Sequence, residues 1–115
     1  TEFLFGIFLK KNKILNHIGN IKLGPINFIH LTAEISYFLG EKDLWGKGYT
    51  TIAIKKIINI ARKKKLKKLK AGFYETNKGS KKVLEKNGFI LEGKFKSEII
   101  HSKKRYSNYW YGKIL

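Results

Sequence analysis

The sequence predicts an α/β chain, with α and β mixed, built on a central mixed β-sheet with helices on both faces. Three observations carry this reading. Ala33, Ile35, Tyr37 and Leu39 alternate with Glu34, Ser36 and Phe38, the period of a half-buried strand. Ile54, Ile57, Ile58 and Ala61 then recur at i, i+3, i+4 and i+7, with Lys55, Lys56, Asn59 and Arg62 between them, the period of an amphipathic helix. Leu69, Ala71 and Phe73 return to alternation. A strand, a crossover helix and a second strand place the two strands parallel and adjacent in one sheet.

Taken in order, Phe3 to Lys10 and Lys13 to Leu23 read as paired strands, with Lys10-Lys11-Asn12-Lys13 as the turn and Gly19 as a bulge. Gly24-Pro25-Ile26-Asn27 breaks the pattern and holds the single proline. After the Ala33–Leu39 strand, a helix runs from about Thr50 to Lys65, with Thr50 or Thr51 able to cap its start. Asn77, a good N-cap residue, opens a second helix whose inner face is Ser80, Val83, Leu84 and Asn87. Gly88 ends that helix, and Phe89 anchors the next strand. Phe95 to Ile100 and Tyr106 to Leu115 form a final hairpin around Ser102-Lys103-Lys104.

Length and composition exclude several function classes. At 115 residues with a 43% hydrophobic fraction, the chain is one folded domain rather than a disordered segment. No apolar run approaches the length of a membrane span, and no signal peptide is evident, so a cytoplasmic protein without a membrane partner is expected. The absence of cysteine removes disulfides, thiolate catalysis and Cys-ligated zinc. His17, His30 and His101 show no ligand spacing, so no metal is expected. The formal charge is +17, and the densest run is Arg62-Lys63-Lys64-Lys65-Leu66-Lys67-Lys68-Leu69-Lys70. An AT-rich genome enriches Lys, Ile, Asn, Phe and Tyr together and explains the charge without function. A basic surface also attracts phosphorylated cofactors, RNA or other anionic partners. Trp45, Trp110, Tyr109 and Tyr111 could stack on bases, although core and sheet packing is the commoner use of such residues.

The feature that points to chemistry is Asp43-Leu44-Trp45-Gly46-Lys47-Gly48-Tyr49-Thr50-Thr51. Gly46 and Gly48 sit where the strand pattern gives way to the helix pattern. Without Cβ atoms the backbone can turn tightly and aim successive N–H groups at one point, and the helix start adds unpaired donors and its positive dipole end. That combination suits a phosphate or pyrophosphate.

From Ile18-Gly19 through Ala33-Glu34-Ile35, Trp45-Gly46-Lys47-Gly48-Tyr49, Glu75-Thr76-Asn77-Lys78-Gly79-Ser80, Val83-Leu84-Glu85-Lys86-Asn87-Gly88-Phe89 and on to Leu91-Glu92-Gly93, the chain resembles the GNAT superfamily of acyl-CoA-dependent N-acetyltransferases. It resembles most the ribosomal-protein N-terminal acetyltransferase (RimJ/RimL-like) branch. The resemblance implies a GNAT-like sheet that lacks the usual first strand and helices. The chain begins at Thr1 and contains no methionine, in keeping with that expectation. It also implies acetyl-CoA as acyl donor and a primary amine as acceptor: a protein N-terminus, an amino sugar or a small amine.

Carried over residue by residue, the resemblance assigns the pyrophosphate to Leu44, Trp45, Gly46, Lys47, Gly48, Tyr49 and Thr50. The pantetheine arm falls to the strand end at Phe38 and Leu39, and a further cofactor contact to Asn77. Glu34 is the candidate base, with Glu92 and Glu98 as runners-up, and a structural pairing of Glu34 with a lysine is the alternative. Ser80 is the candidate acid, because the residue after Leu84 is Glu85, where many GNAT enzymes carry a tyrosine. Two further departures stand out. Asp43 replaces the usual Arg or Gln of the loop, a contact that Lys42 or Lys47 could replace, and Ile52 stands where many relatives of this branch carry a carboxylate. Two other readings remain at this point: a basic RNA- or ribosome-binding module on this fold, and a degenerate GNAT that binds CoA without turnover.

Overall fold

A computed structural model describes residues 1–40 and 44–115. The elements are β1 (Phe3–Lys11), β2 (Ile14–Asn27), β3 (Thr32–Leu39), α1 (Tyr49–Lys63), β4 (Lys68–Tyr74), α2 (Lys78–Lys86), β5 (Ile90–His101) and β6 (Lys104–Ile114). The strands form one sheet in the order β1-β2-β3-β4-β6-β5. The β3–β4 pair is parallel, and every other neighbouring pair is antiparallel. The crossover helix α1 therefore does what the periodicity predicts: it carries the chain from β3 to a parallel partner.

The β1–β2 turn is tight, with Asn12 and Lys13 both at positive φ, 51° and 65°. Opposite Ile7 and Phe8 the register skips Ile18, so the bulge lies beside Gly19, as its glycine suggests. Gly19 also has no room for a side chain against β3, since a Cβ there would strike the Phe38 carbonyl. The Gly24-Pro25-Ile26-Asn27 segment does not end the strand. β2 continues to Asn27 with a register shift between Leu23 and Ile26 and a cis Gly24–Pro25 bond. The interruption read from proline is thus absorbed as an irregularity within a strand.

One core joins all the layers. Leu23, Ile35, Leu69, Ala71 and Tyr111 from the sheet, Ile54, Ile57, Ile58 and Ala61 from α1, Leu84 from α2, and Phe89 form a single buried cluster. Since alternate strand residues point to opposite faces, this cluster places both helices on the same face of the sheet. The expectation of helices on both faces is corrected: among the described residues the other face carries Glu34, Phe38, Lys70 and Trp110 and no helix. The helix assigned to Thr50–Lys65 is observed as Tyr49–Lys63, and neither Thr50 nor Thr51 caps it. Gly48 takes the N-cap position in a left-handed conformation, with no side-chain hydrogen bond. Among the described residues no helix is long and apolar enough to cross a membrane.

Candidate active site

Parallel pairing between β3 and β4 stops early. The rungs are Thr32–Lys68, Ala33–Leu69 and Glu34–Lys70, after which β3 continues to Leu39 and β4 to Tyr74 without pairing to each other. The two strands are each held on their far sides, β3 by β2 as far as the Leu39–Gly19 rung and β4 by β6 as far as Tyr74–Asn108. The sheet therefore opens at the carboxyl ends of its parallel strands.

The groups lining that opening follow from the ladder. Gly40 donates its N–H to the Ile18 carbonyl at 2.9 Å. The β2–β3 register is unbroken from Gly19–Leu39 to Leu23–Ile35. The alternation of an antiparallel ladder then turns the backbone groups of Ser36 and Phe38 toward β2 and those of Tyr37 and Leu39 toward the opening. Of the two residues assigned to the pantetheine edge, Leu39 presents its backbone to the opening. Phe38 does not, and offers only an exposed ring on the helix-free face. The Leu39 carbonyl is taken by Trp45, whose indole Nε1 donates to it at 2.9 Å. That bond ties the glycine loop to the end of β3. Trp45 is half exposed and is not a core residue, whereas Tyr109 and Tyr111 pack on Phe73 within the core.

The loop itself is shaped for close approach. Gly46 and Gly48 have φ of 77° and 84°, values that residues with a Cβ rarely adopt. A Cβ added at either position would meet nothing within 4 Å, so the space beside both is open. Behind them, the first N–H groups of α1 have no intrahelical acceptor and no side-chain cap. Lys47 is exposed, Leu44, Tyr49 and Thr50 are half-buried, and α1 has no acidic residue in its first turn. A polyanion suits this donor set, and the first turn of α1 sets no carboxylate against it. Lys42 and Asp43, which also entered the loop reading, lie outside the described residues.

The first turn of α2 closes the other side. Asn77 caps it, its Oδ1 accepting from the Ser80 N–H at 3.0 Å. This cap occupies the Asn77 oxygen and leaves its amide NH₂ as the group available to a ligand. Ser80 is buried at 8% exposure, with its side chain near the Tyr37 phenol of β3. Burial pushes the Tyr37 phenol above its ordinary range, and the Ser80 contact partly offsets that shift. Tyr37 is the residue that sequence reading missed. It registered only as an apolar beat in an alternating strand, and nothing local marks it as a neighbour of a serine 43 positions later.

Two polar anchors, Asn87 and Glu75, were also not legible. Asn87 donates from Nδ2 to the Thr51 carbonyl at 3.1 Å and to the Val83 carbonyl at 3.0 Å, joining the end of α2 to the first turn of α1. Glu75 accepts the Ser107 N–H at 2.7 Å, pinning the end of β4 to β6 just before α2 begins.

Glu34 lies on the helix-free face at the last parallel rung. Its carboxylate is 3.9 Å from Lys70 Nζ, and about a third of its side chain is exposed. It is thus opposite in face to Ser80 and adjacent to the same opening. Glu92 sits at the closed end of the sheet and pairs with Lys68 at 2.8 Å. Glu98 belongs to a register shift in the outer strand β5, between Phe95 and Ile99. Neither runner-up is brought to the opening. Among the described residues no three His, Cys, Asp or Glu side chains gather as metal ligands.

Residues 1–90 match the family model described as the acetyltransferase (GNAT) domain. The chain belongs to the GNAT family. GNAT relatives include a probable N-acetyltransferase of Bacillus subtilis (strain 168), YjcK, 42% identical over 94 residues, covering 80% of this chain and 50% of the relative. Among solved structures, the microcin C7 self-immunity acetyltransferase MccE, in complex with acetyl-CoA and AMP, is similar with a TM-score of 0.77 at 29% identity, covering 87% of this chain and 56% of that one. The ribosomal-protein-S5-alanine acetyltransferase of Vibrio fischeri is similar with a TM-score of 0.77 at 25% identity, covering 86% and 55%. The GNAT chain described here thus spans about half the length of these relatives.

Proposed function

We propose that this GNAT domain binds acetyl-CoA across the opening between β3 and β4 and transfers the acetyl group to a primary amine. The observation that carries the reading is the early end of the parallel ladder at Glu34–Lys70, with a donor-rich glycine loop at its mouth. A pantetheine arm is itself strand-like, and the unpaired edge at Tyr37 and Leu39 offers it backbone partners, a small-molecule form of strand addition. The pyrophosphate would rest on Gly46, Lys47, Gly48 and the first N–H groups of α1, with Leu44, Trp45, Tyr49 and Thr50 around it. The Asn77 amide would donate to the arm.

Acyl transfer then needs the thioester held, its carbonyl oxygen stabilised as it gains charge, the ammonium deprotonated and the thiolate received. A cleft-facing N–H of β3, from Tyr37 or Leu39, serves the oxygen. Glu34 on the helix-free face takes the proton of the incoming amine, directly or through water. Ser80 on the helix face meets the departing sulfur. Because Glu34 and Ser80 lie on opposite faces, the amine would enter from the helix-free side and the thiol leave against α2. In this reading the acceptor is a protein N-terminus or a small amine, and kinship with the ribosomal-protein acetyltransferase branch favours the former.

Calorimetric titration of the full-length protein with acetyl-CoA, followed by thiol release on an alanine-terminated peptide, a polyamine and an amino sugar, tests the proposal. Saturable binding that depends on Gly48, with turnover on one of these amines, supports it. Absence of saturable acetyl-CoA binding overturns it. Binding without turnover on any amine would return the domain to a CoA-binding role.

A further inference from the structure

We infer that the outer surface of the two helices is a nucleic-acid-binding face, one that holds a phosphodiester backbone without reading its sequence. The inference stands apart from acetyl transfer and goes beyond it.

The face is built by the packing of α1 and α2. α1 carries Lys55, Lys56, Arg62 and Lys63 and no carboxylate. α2 carries Lys78, Lys81, Lys82 and Lys86, with Glu85 as its one carboxylate. The opposite stripe of each helix is buried against the sheet, Ile54, Ile57, Ile58 and Ala61 on α1 and Ser80 and Leu84 on α2. That burial turns every one of these cations outward, and all are exposed. The three ion pairs among the described residues instead join strand lysines to Glu2, Glu34 and Glu92, so none of them neutralises a helix cation. A lysine-rich composition supplies the charge, and the fold gathers it on one layer.

The layer is continuous and regular. The Asn87 amide ties the end of α2 to the first turn of α1 at the Thr51 carbonyl, 3.1 Å away. On α2, Lys78, Lys82 and Lys86 recur every four residues, a row with neighbours about 6 Å apart along the axis. On α1, Lys55 and Lys63 stand two such steps apart. Lys64 and Lys65, both exposed, extend the charge past the helix C-terminus.

The chemistry of the surface selects the partner. Ile52 is the one large apolar side chain exposed on either helix. Protein interfaces centre on buried aromatic and aliphatic anchors and are depleted in lysine, so an acidic protein finds little here to seat it. A membrane surface asks for the same apolar insertion. A phosphodiester backbone needs only cations, because duplex nucleic acid carries a charge about every 1.7 Å and binding releases its condensed counterions. The single aromatic residue of the two helices, Tyr49, is half-buried beside the glycine loop, which leaves the bases no platform on this layer. Backbone contacts alone carry no sequence information.

The test is fluorescence anisotropy of a short labelled RNA duplex, and of a DNA duplex of the same sequence, titrated with the full-length protein. Both should bind, with affinity falling roughly a hundredfold between about 50 and 200 mM salt, the slope for about four neutralised phosphates. Replacing Lys55, Lys63, Lys82 and Lys86 by glutamine, itself a good helix former, should lower affinity at low salt by at least about tenfold and flatten the salt slope by about one per lysine in contact. Replacing Lys10, Lys11, Lys103 and Lys104 by glutamine removes the same charge from the two hairpin turns and should cost distinctly less. Thermal melts confirm that both variants are folded. A wild-type affinity that ignores salt, or equal losses in the two variants, would overturn the assignment to the helix layer. Displacement of the duplex by charge-matched polyglutamate or phosphatidylserine vesicles as readily as by unlabelled duplex would overturn the choice of nucleic acid. None of these outcomes touches acetyl transfer, which the acetyl-CoA titration tests separately.

Discussion

Replacing Gly48 by alanine separates the ligand role of the glycine loop from its structural role. In the free protein the cost should be modest. A Cβ at Gly48 would meet nothing within 4 Å, and the bond from the Ile52 N–H to the Gly48 carbonyl, 3.1 Å, uses only backbone. What remains is the left-handed conformation, φ 84°, which costs a residue with a Cβ about 1–2 kcal/mol. For a domain of this size that lowers Tm by roughly 5–10 °C and leaves the fold intact. The ligand-bound state is affected more. The added methyl occupies the open space that the loop N–H groups face. Losing even one charge-assisted hydrogen bond there costs about 1.5–3 kcal/mol, a loss of roughly 10- to 100-fold in affinity. The assay is a pair of measurements on the same variant: a thermal melt and a calorimetric titration with acetyl-CoA. A variant that shows the small Tm loss and keeps wild-type affinity would refute the assignment of the pyrophosphate to this loop.

Glu34→Gln should lower the acyl-transfer rate by about 10²–10⁴ with little change in acetyl-CoA affinity, and the deficit should shrink as pH rises because more of the amine is already deprotonated. Full activity across pH would take Glu34 out of the mechanism. Charge reversal at Lys63, Lys64 and Lys65 should leave acetyl-CoA affinity within a few-fold, because α1 places them about 20 Å from its phosphate-binding start, beyond the reach of screened surface charge. The melt should register a small loss there, since Lys64 Nζ lies 3.9 Å from the centre of the Phe3 ring, a contact worth about 0.5–1 kcal/mol. Asn87→Ala should destabilise the domain by about 1–3 kcal/mol in a denaturant melt, because two hydrogen bonds of a buried amide are removed. If its acetyl-CoA affinity falls in step, the Asn87–Thr51 bond is positioning the first turn of α1. If affinity is untouched, that bond serves stability alone.

The sequence by itself determined the local features. Alternation in Ala33–Leu39 and Leu69–Phe73 and the helical spacing of Ile54, Ile57, Ile58 and Ala61 survive in the structure, because each reports burial of one face of one element. The two glycines between strand and helix, the Asn77 cap and the glycine after α2 were equally legible, since their conformational needs are met within a few residues. Features that arise between elements were decided only by the tertiary structure. The last parallel rung at Glu34–Lys70 depends on β2 and β6 holding the two strands apart. Both helices share one face because a single core had to cover Leu84 together with Ile54 and Ile57. Gly48 rather than a threonine begins α1, because the loop enters the helix with a left-handed residue. The Asn87–Thr51 bond joins groups 36 positions apart, where no periodicity carries information. Glu34 and Ser80 read as two roles in one sequence; the pleat of β3 turns Glu34 to the helix-free face, while α2, packed on the opposite face, carries Ser80.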